Sequence, residues 1–339
     1  MGYRYIGSKL RIADDIISYI GEPTKTSGYF IDAFSGTGIV ASKAADWGWK
    51  IKINDMMKYA TIISETQLLS ISEVPFIKLG GYENAISLLN STKDEGFVWR
   101  EYSPASLDFC GIERKYYSEE NAKKIDGATK LIHYWKNNGQ INDKEFALLM
   151  STLISAINDV ANIAGTYGCF LSKWTEQSLR PLELIPLELR KQPICYQVSN
   201  LDVFSVISNY NDIVYLDPPY TKRQYASYYH ILETIVKGDN PNVSGTAGLR
   251  PWKDNASVFC YKSKALSALT DLIIKQQAHR VIVSYSDDGH VNLNDLYEHL
   301  KLYGNVKIVE VASIGRYRPN QSASLKKAEV NEYLIDFQK

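Results

Sequence analysis

The sequence predicts an α/β protein: a seven-stranded, mostly parallel, doubly wound sheet carrying a large, mainly helical insertion. Three observations predict it. A β-α-β unit opens the chain, strands alternating with helices return after Pro193, and the stretch between them is too long for a connection inside a compact domain. At 339 residues the chain also exceeds the usual single-domain size, so a second domain or a big insertion is expected beside one large core.

The elements follow in order. Lys9 to Ile20 reads as a helix with Leu10, Ala13, Ile16, Ile17 and Ile20 on one stripe, closed by Gly21 and Pro23. Tyr29 to Asp32 is a short buried strand, Ala33 to Gly38 a glycine-bearing turn, Ile39 to Trp47 an alanine-rich helix, and Trp49 to Ile53 the next strand, delivering Asn54-Asp55 at its end. This unit implies a parallel sheet with right-handed crossovers.

The rhythm stops from Met56 to about Ile194, and the economical reading is an inserted region over 61–193, with 1–60 and 194–339 forming one domain. Inside it, Glu119 to Trp135 reads as a helix behind Ser118 as cap. Asn142-x-x-Glu145 opens a long helix, about 143–163, placed to pack on the main domain. Pro75 to Pro104, with its Gly-Gly pair and mixed polarity, carries no assignable element. The sheet then resumes with strands at Cys195 to Val198, Ile213 to Leu216, Val281 to Ser284, Val306 to Val311 and Asn331 to Phe337. Helices are expected at Val203 to Ser208, Tyr225 to Val236, Ala265 to Gln276 and Leu293 to Leu302, and Gly238 to Ser257 reads as a mobile loop.

Bulk properties bound the partners. Forty-five per cent hydrophobic and 22% charged residues are ordinary for a globular protein, no apolar run is long enough to span a bilayer, and Met1-Gly2-Tyr3-Arg4 begins no signal peptide, so a cytoplasmic protein without a membrane partner is expected. Four cysteines without C-x-x-C spacing and five histidines without a paired-ligand pattern predict neither disulfides nor a metal. Thirty-eight basic residues balance 38 acidic ones, which taken alone argues against nucleic acid. Local balance differs: Lys222, Arg223, Lys237, Arg250, Lys253, Lys262 and Lys264 face only Glu233, Asp239 and Asp254, and Arg316, Arg318, Lys326 and Lys327 cluster near the end. Each of these segments is also compatible with a plain solvated face.

Two stretches carry chemistry. Val214 to Leu216 runs as buried β-formers into Asp217-Pro218-Pro219-Tyr220, where two prolines stop further strand pairing. A carboxylate, a backbone carbonyl and a flat ring are held together there, which suits gripping a planar group with NH donors; a simple strand and turn is the bland reading. Earlier, Ser35-Gly36-Thr37-Gly38 lies between a strand and a helix, where a backbone can approach a ligand and helix-start NH groups are free. Gly36-x-Gly38-x-x-Ala41, with Asp55 about twenty residues on, also meets the relaxed dinucleotide fingerprint, so a nicotinamide enzyme stays open. Asp32 at the strand tip would repel a pyrophosphate but could hold an ammonium, which favours an adenosyl-amino-acid cofactor. The turn Tyr5-Ile6-Gly7-Ser8-Lys9 ahead of the first strand is also unusual for nicotinamide domains.

Tyr5-x-Gly7-x-Lys9, Phe30-x-Asp32-x-Phe34-x-Gly36-x-Gly38, Asn54-Asp55 and Asp217-Pro218-Pro219-Tyr220, in that order around a large insertion, resemble the D12 class (Dam-like, alpha-group) of DNA adenine-N6 methyltransferases. Arg223-Gln224-Tyr225 through Tyr229-His230-x-Leu232-Glu233 look like its branch in type IIS restriction-modification systems. The resemblance implies a Rossmann-like methyltransferase fold over 1–60 and 194–339, a target-recognition subdomain within 61–193, and S-adenosyl-L-methionine as cofactor. Asp32 and the turn of Phe34, Ser35, Gly36, Thr37 and Gly38 would line its methionine portion, Asp55 its ribose, Gly7 and Lys9 its carboxylate end, with Tyr5 also among the cofactor-binding residues. Asp202, with Val203 in the Asn200-Leu201-Asp202-Val203-Phe204 motif, would take its adenine amine, a reading favoured over a simple cap of the helix at Val203.

Asp217 and the Pro218 carbonyl would hold the N6 amine of an adenine flipped out of double-stranded DNA, with Pro219 rigidifying the corner and Tyr220 stacking on the base. Lys222, Arg223, Tyr225, Arg250, Lys253, Arg316 and Arg318 are the candidate DNA contacts. No second catalytic cluster stands out, so restriction would fall to a separate endonuclease partner. The competing functions are a DNA-recognition and cofactor-binding subunit without its own turnover, and N-methylation of RNA or a protein amide. Relatives of the latter kind usually have Asn where Asp217 stands.

Overall fold

The computed structural model describes residues 7–315 and 329–339. Tyr5, Arg316 and Arg318 therefore lie outside the described residues. The chain divides into two compact units, one of residues 7–64, 194–225 and 255–339, the other of 65–193 with 226–254.

The first unit holds a seven-stranded sheet of β1 (Tyr29–Asp32), β2 (Lys50–Asn54), β3 (Tyr196–Ser199), β4 (Ile213–Leu216), β5 (Arg280–Ser286), β6 (Asn305–Gly315) and β7 (Glu329–Gln338), in the order β3-β2-β1-β4-β5-β7-β6. Strands β1 to β5 are parallel, and β7 lies antiparallel between β5 and β6. Every residue of β4 is buried, as expected for a central strand covered on both faces. The strand order reverses between β1 and β4, where Asp32 lies in register with Tyr215. Beyond the carboxyl ends of strands at such a reversal, an open parallel sheet leaves a crevice for a ligand.

Helix α1 (Ala13–Ile20) precedes β1, and α2 (Ile39–Asp46) and α3 (Lys58–Thr66) follow β1 and β2. The stripe Ala13, Ile16, Ile17 and Ile20 is buried as its 3.6-residue spacing requires. Leu10 departs from that stripe. It is 60% exposed, because the helix begins only at Ala13 and the preceding turn brings Lys9 inward instead. The helix read at Val203 to Ser208 is a single 3-10 turn, Val203–Ser205.

The second unit is helical: α4 (Tyr82–Asn90), α5 (Phe97–Tyr102), α6 (Ser106–Cys110), α7 (Glu119–Asn137) and α8 (Asp143–Val160), with α9 (Tyr225–Tyr228), apart from its first residue, and α10 (His230–Lys237) from the later segment. Ser118 caps α7, and Asn142 with Glu145 forms the capping box of α8. The unassigned stretch at 75–104 contains α4 and α5. The start of α5 is capped from a distance, by the Asp126 carboxylate accepting from the Gly96, Val98 and Trp99 N–H groups at 3.2, 2.9 and 2.7 Å. No local pattern announces a cap of that kind.

The loop expected to be mobile is tied down. Arg114 donates to the Thr246 and Gly245 carbonyls, Tyr102 to that of Gly248 and Tyr116 to that of Ala247. Helices α11 (Lys262–Lys275) and α12 (Leu293–Leu300) complete the first unit. Among the described residues no helix is long and apolar enough to cross a membrane.

Candidate active site

The turn after β1 is fixed by its backbone. Gly38 adopts φ +76°, and a Cβ there would sit 2.6 Å from the Cα of Ser64, so only glycine fits. Ser35 Oγ donates to Ser64 Oγ at 2.9 Å, and the Ser35 N–H donates to the Asn54 carbonyl at 2.9 Å. Asp55 organises the same turn, its two oxygens accepting from the Gly36 and Met57 N–H groups at 3.0 and 2.9 Å. Phe34 packs edge-on against Phe259, with ring centroids 5.6 Å apart.

Two asparagines that the motifs named without a role of their own hold the neighbouring strand ends. Buried Asn54 donates to the Ala33 and Leu201 carbonyls and accepts from Ser199 and from the Leu201 N–H. Asn200 donates to the carbonyls of Asp55 and Met56. Asp202 is exposed and caps its 3-10 turn by accepting from the Phe204 N–H at 2.8 Å, beside buried Val203.

Asp32 is 2% exposed, and its Oδ1 has no hydrogen-bond partner among the described residues. Burial, then Asp217 and Asp55, hold its carboxyl well above the usual range, against the pull of the Phe34 and Ala41 N–H groups. A buried carboxylate in that setting calls for a cation. S-adenosylmethionine, with its ammonium and sulfonium, meets that need, whereas a pyrophosphate-bearing dinucleotide would add negative charge. The residues present therefore fit the sulfonium cofactor.

At the end of β4, Asp217 already has a cation. Lys9 Nζ lies 3.1 Å from Asp217 Oδ1 and 3.3 Å from Glu332 Oε2, and it stands over the Tyr220 ring, 5.2 Å from the centroid. Lys9, expected at the carboxylate end of the cofactor, thus pairs with two acids, one from the end of β4 and one from β7. Burial works against the charged lysine, but Asp217, Tyr220 and Glu332 offset it and keep the group protonated, well above its ordinary value. Burial pushes the Asp217 carboxyl up to about 6, with Lys9 drawing it down and Glu332 driving it up.

Tyr220 is held by Tyr285, with ring centroids 5.4 Å apart, and by its carbonyl, which accepts from the His290 N–H at 2.8 Å. Buried Pro218 and half-buried Pro219 can donate no N–H, which ends pairing there. Sequence reasoning missed Glu332. A signal was present: Glu332, Leu334 and Asp336 alternate on one buried face of β7, placing acids where an apolar face is expected.

The expected DNA contacts separate. Lys222 and Arg223 are exposed in the first unit, on a segment anchored by Gln224, whose amide exchanges hydrogen bonds with the Ser257 backbone. Lys253 is exposed in the second unit. Tyr225 instead packs beside Gly7, which has φ +76°; a Cβ on Gly7 would lie 3.0 Å from the Tyr225 hydroxyl. Arg250 is 8% exposed, forming a two-pronged ion pair with Asp239 at 3.2 and 2.6 Å and donating to Thr234, so it anchors its loop and presents no cation to solvent.

A glycine turn and a proline-locked acid beyond adjacent strands of this sheet define an α/β methyltransferase. The model of the D12 class N6 adenine-specific DNA methyltransferases matches residues 5–310, and the chain belongs to that family. It is 34% identical to the type II methyltransferase M.FokI of Planomicrobium okeanokoites over 345 residues, covering 99% of this chain and 52% of the relative. It is 33% identical to the modification methylase StsI of Streptococcus sanguinis, again covering 99% and 52%. With the type II methyltransferase M.NlaIII of Neisseria lactamica the identity is 31%, covering 90% of each. The chain thus spans about half the length of the first two relatives and most of the third.

Proposed function

We propose that this chain transfers a methyl group from S-adenosylmethionine to N6 of a flipped-out adenine in double-stranded DNA, as the modification enzyme of a restriction-modification system whose endonuclease is a separate protein. The observation that carries the reading is the acceptor corner, where Asp217 meets two prolines and a Tyr220 ring fixed by Tyr285. The family supports it, and so do relatives named as type II methyltransferases and modification methylases.

The exocyclic amine of adenine is a poor nucleophile because its lone pair is delocalised into the ring. Asp217 and the Pro218 carbonyl accept its two hydrogens and favour a tetrahedral nitrogen whose lone pair is free to attack. When bound, S-adenosylmethionine supplies an electrophilic methyl group on a sulfonium. Asp32 would hold the cationic end of that cofactor, the Phe34 to Gly38 turn and Asp55 would orient it, Asp202 would receive its adenine, and Gly7 would border it. Catalysis comes from orientation and from negative charge aimed at the nitrogen that becomes positive. Tyr220 stacks on the base and offsets part of the few kcal/mol that flipping costs. Lys222, Arg223 and Lys253 contact phosphates, and the 61–193 insertion, with 226–254 packed into the same unit, reads the target sequence.

The test is Asp217→Ala. The variant is expected to bind S-adenosylmethionine and DNA like the wild type while methyl transfer falls to background. Transfer at the wild-type rate in that variant would overturn the assignment of the corner.

A further inference from the structure

Glu332 has no part in the chemistry derived so far. It comes from β7, distant in sequence from both strand-end segments, and is 8% exposed. One carboxylate oxygen lies 3.3 Å from Lys9 Nζ and the other 3.5 Å from the Tyr220 hydroxyl, which donates to it. A buried carboxylate costs several kcal/mol unless it is paired, so its place on a buried face needs a reason.

The reason lies in the charge at the corner. Lys9 Nζ is 3.1 Å from the oxygen of Asp217. An ammonium that close draws negative charge away from the group that must attract the amine hydrogens, and it repels the positive charge that grows on the nitrogen as the methyl group arrives. With Lys9 alone, the corner would be neutral. With Glu332 added, two carboxylates face one ammonium and the corner is negative again.

We propose that Glu332 is a positioning residue of the acceptor site: acting through Lys9, it returns the negative charge of Asp217 to the target amine, and through the Tyr220 hydroxyl it sets the stacking ring. This rests on the adenine-methylating reading. The titratable groups around Asp217 are Lys9, Glu332, Tyr215, Tyr220 and Asp32. The tyrosines are held protonated by burial, so Lys9 and the three acids set the field in the working pH range.

The experiment is the pH dependence of kcat for methyl transfer to DNA by the wild type, Glu332→Gln, Lys9→Met and the double variant Lys9→Met/Glu332→Gln. Wild-type kcat falls on the acid side as Asp217 gains its proton, at about 6. Glu332→Gln removes a neighbour that drives this carboxyl up, so its acid limb moves to lower pH. Its plateau kcat drops on the order of tenfold to a hundredfold, with KM for DNA little changed. Lys9→Met moves the limb to higher pH.

The double variant restores a single negative charge at the corner and recovers part of the kcat lost in Glu332→Gln. A Glu332→Gln enzyme equal to wild type overturns the inference, and so does one weakened equally at every pH with no recovery in the double variant. In either case an active wild type leaves the methylation reading standing. A wild type that transfers no methyl group to DNA removes that reading first.

Discussion

Asp32 and Asp217 end adjacent parallel strands of one sheet, and burial raises both carboxyl groups, yet their partners differ. Asp217 is met by Lys9, a cation built into the chain, whereas Asp32 has an oxygen without a hydrogen-bond partner among the described residues. The difference teaches which charge the protein supplies and which it leaves to a ligand. On the proposed reading, the cation at the cofactor turn arrives with the small molecule, whereas at the acceptor corner it is already present and its charge is balanced so that the acid still attracts an amine.

Asp32→Asn breaks the first half of that comparison and carries the larger effect of the two changes below. A hydrogen bond to a charged group is worth about 1.5–3 kcal/mol, so the Kd for S-adenosylmethionine by calorimetry should weaken about tenfold to a hundredfold. The unliganded variant should nonetheless melt above the wild type at neutral pH. A carboxyl raised on folding contributes its full stability only at low pH and loses it as pH rises through the folded value, so the advantage of Asn should shrink as the solution is acidified.

A smaller effect sharpens the contrast between these buried charges and the surface ones. Lys222→Ala with Arg223→Ala removes two exposed cations without touching either acid, so the plot of log binding constant against log salt should become shallower by about two, with cofactor affinity unchanged. An unchanged slope would exclude this segment from the DNA contacts.

Much of this was legible in the sequence because it is local. The strand-turn-helix around Gly36 and Gly38, the capping box at Asn142 and Glu145, and the Pro-Pro end of β4 are each written within a few residues. The illegible parts join distant segments. Lys9 reads as the start of a helix until Asp217 and Glu332 draw it inward, and Leu10 turns outward as a result. Arg250 reads as one more cation in a basic stretch until Asp239 and Thr234 engage it. The stretch at 75–104 hides α5, whose start is capped by a carboxylate from α7. Residues 226–254 follow the catalytic corner in sequence but pack with the inserted region, a pairing that no local pattern encodes.

The most direct test of the central claim is to map modified bases in DNA from cells expressing this chain, using mass spectrometry of nucleosides and single-molecule sequencing. The account predicts N6-methyladenine confined to one short recognition sequence. DNA with no new modification, or with the methyl group on another base, would contradict it.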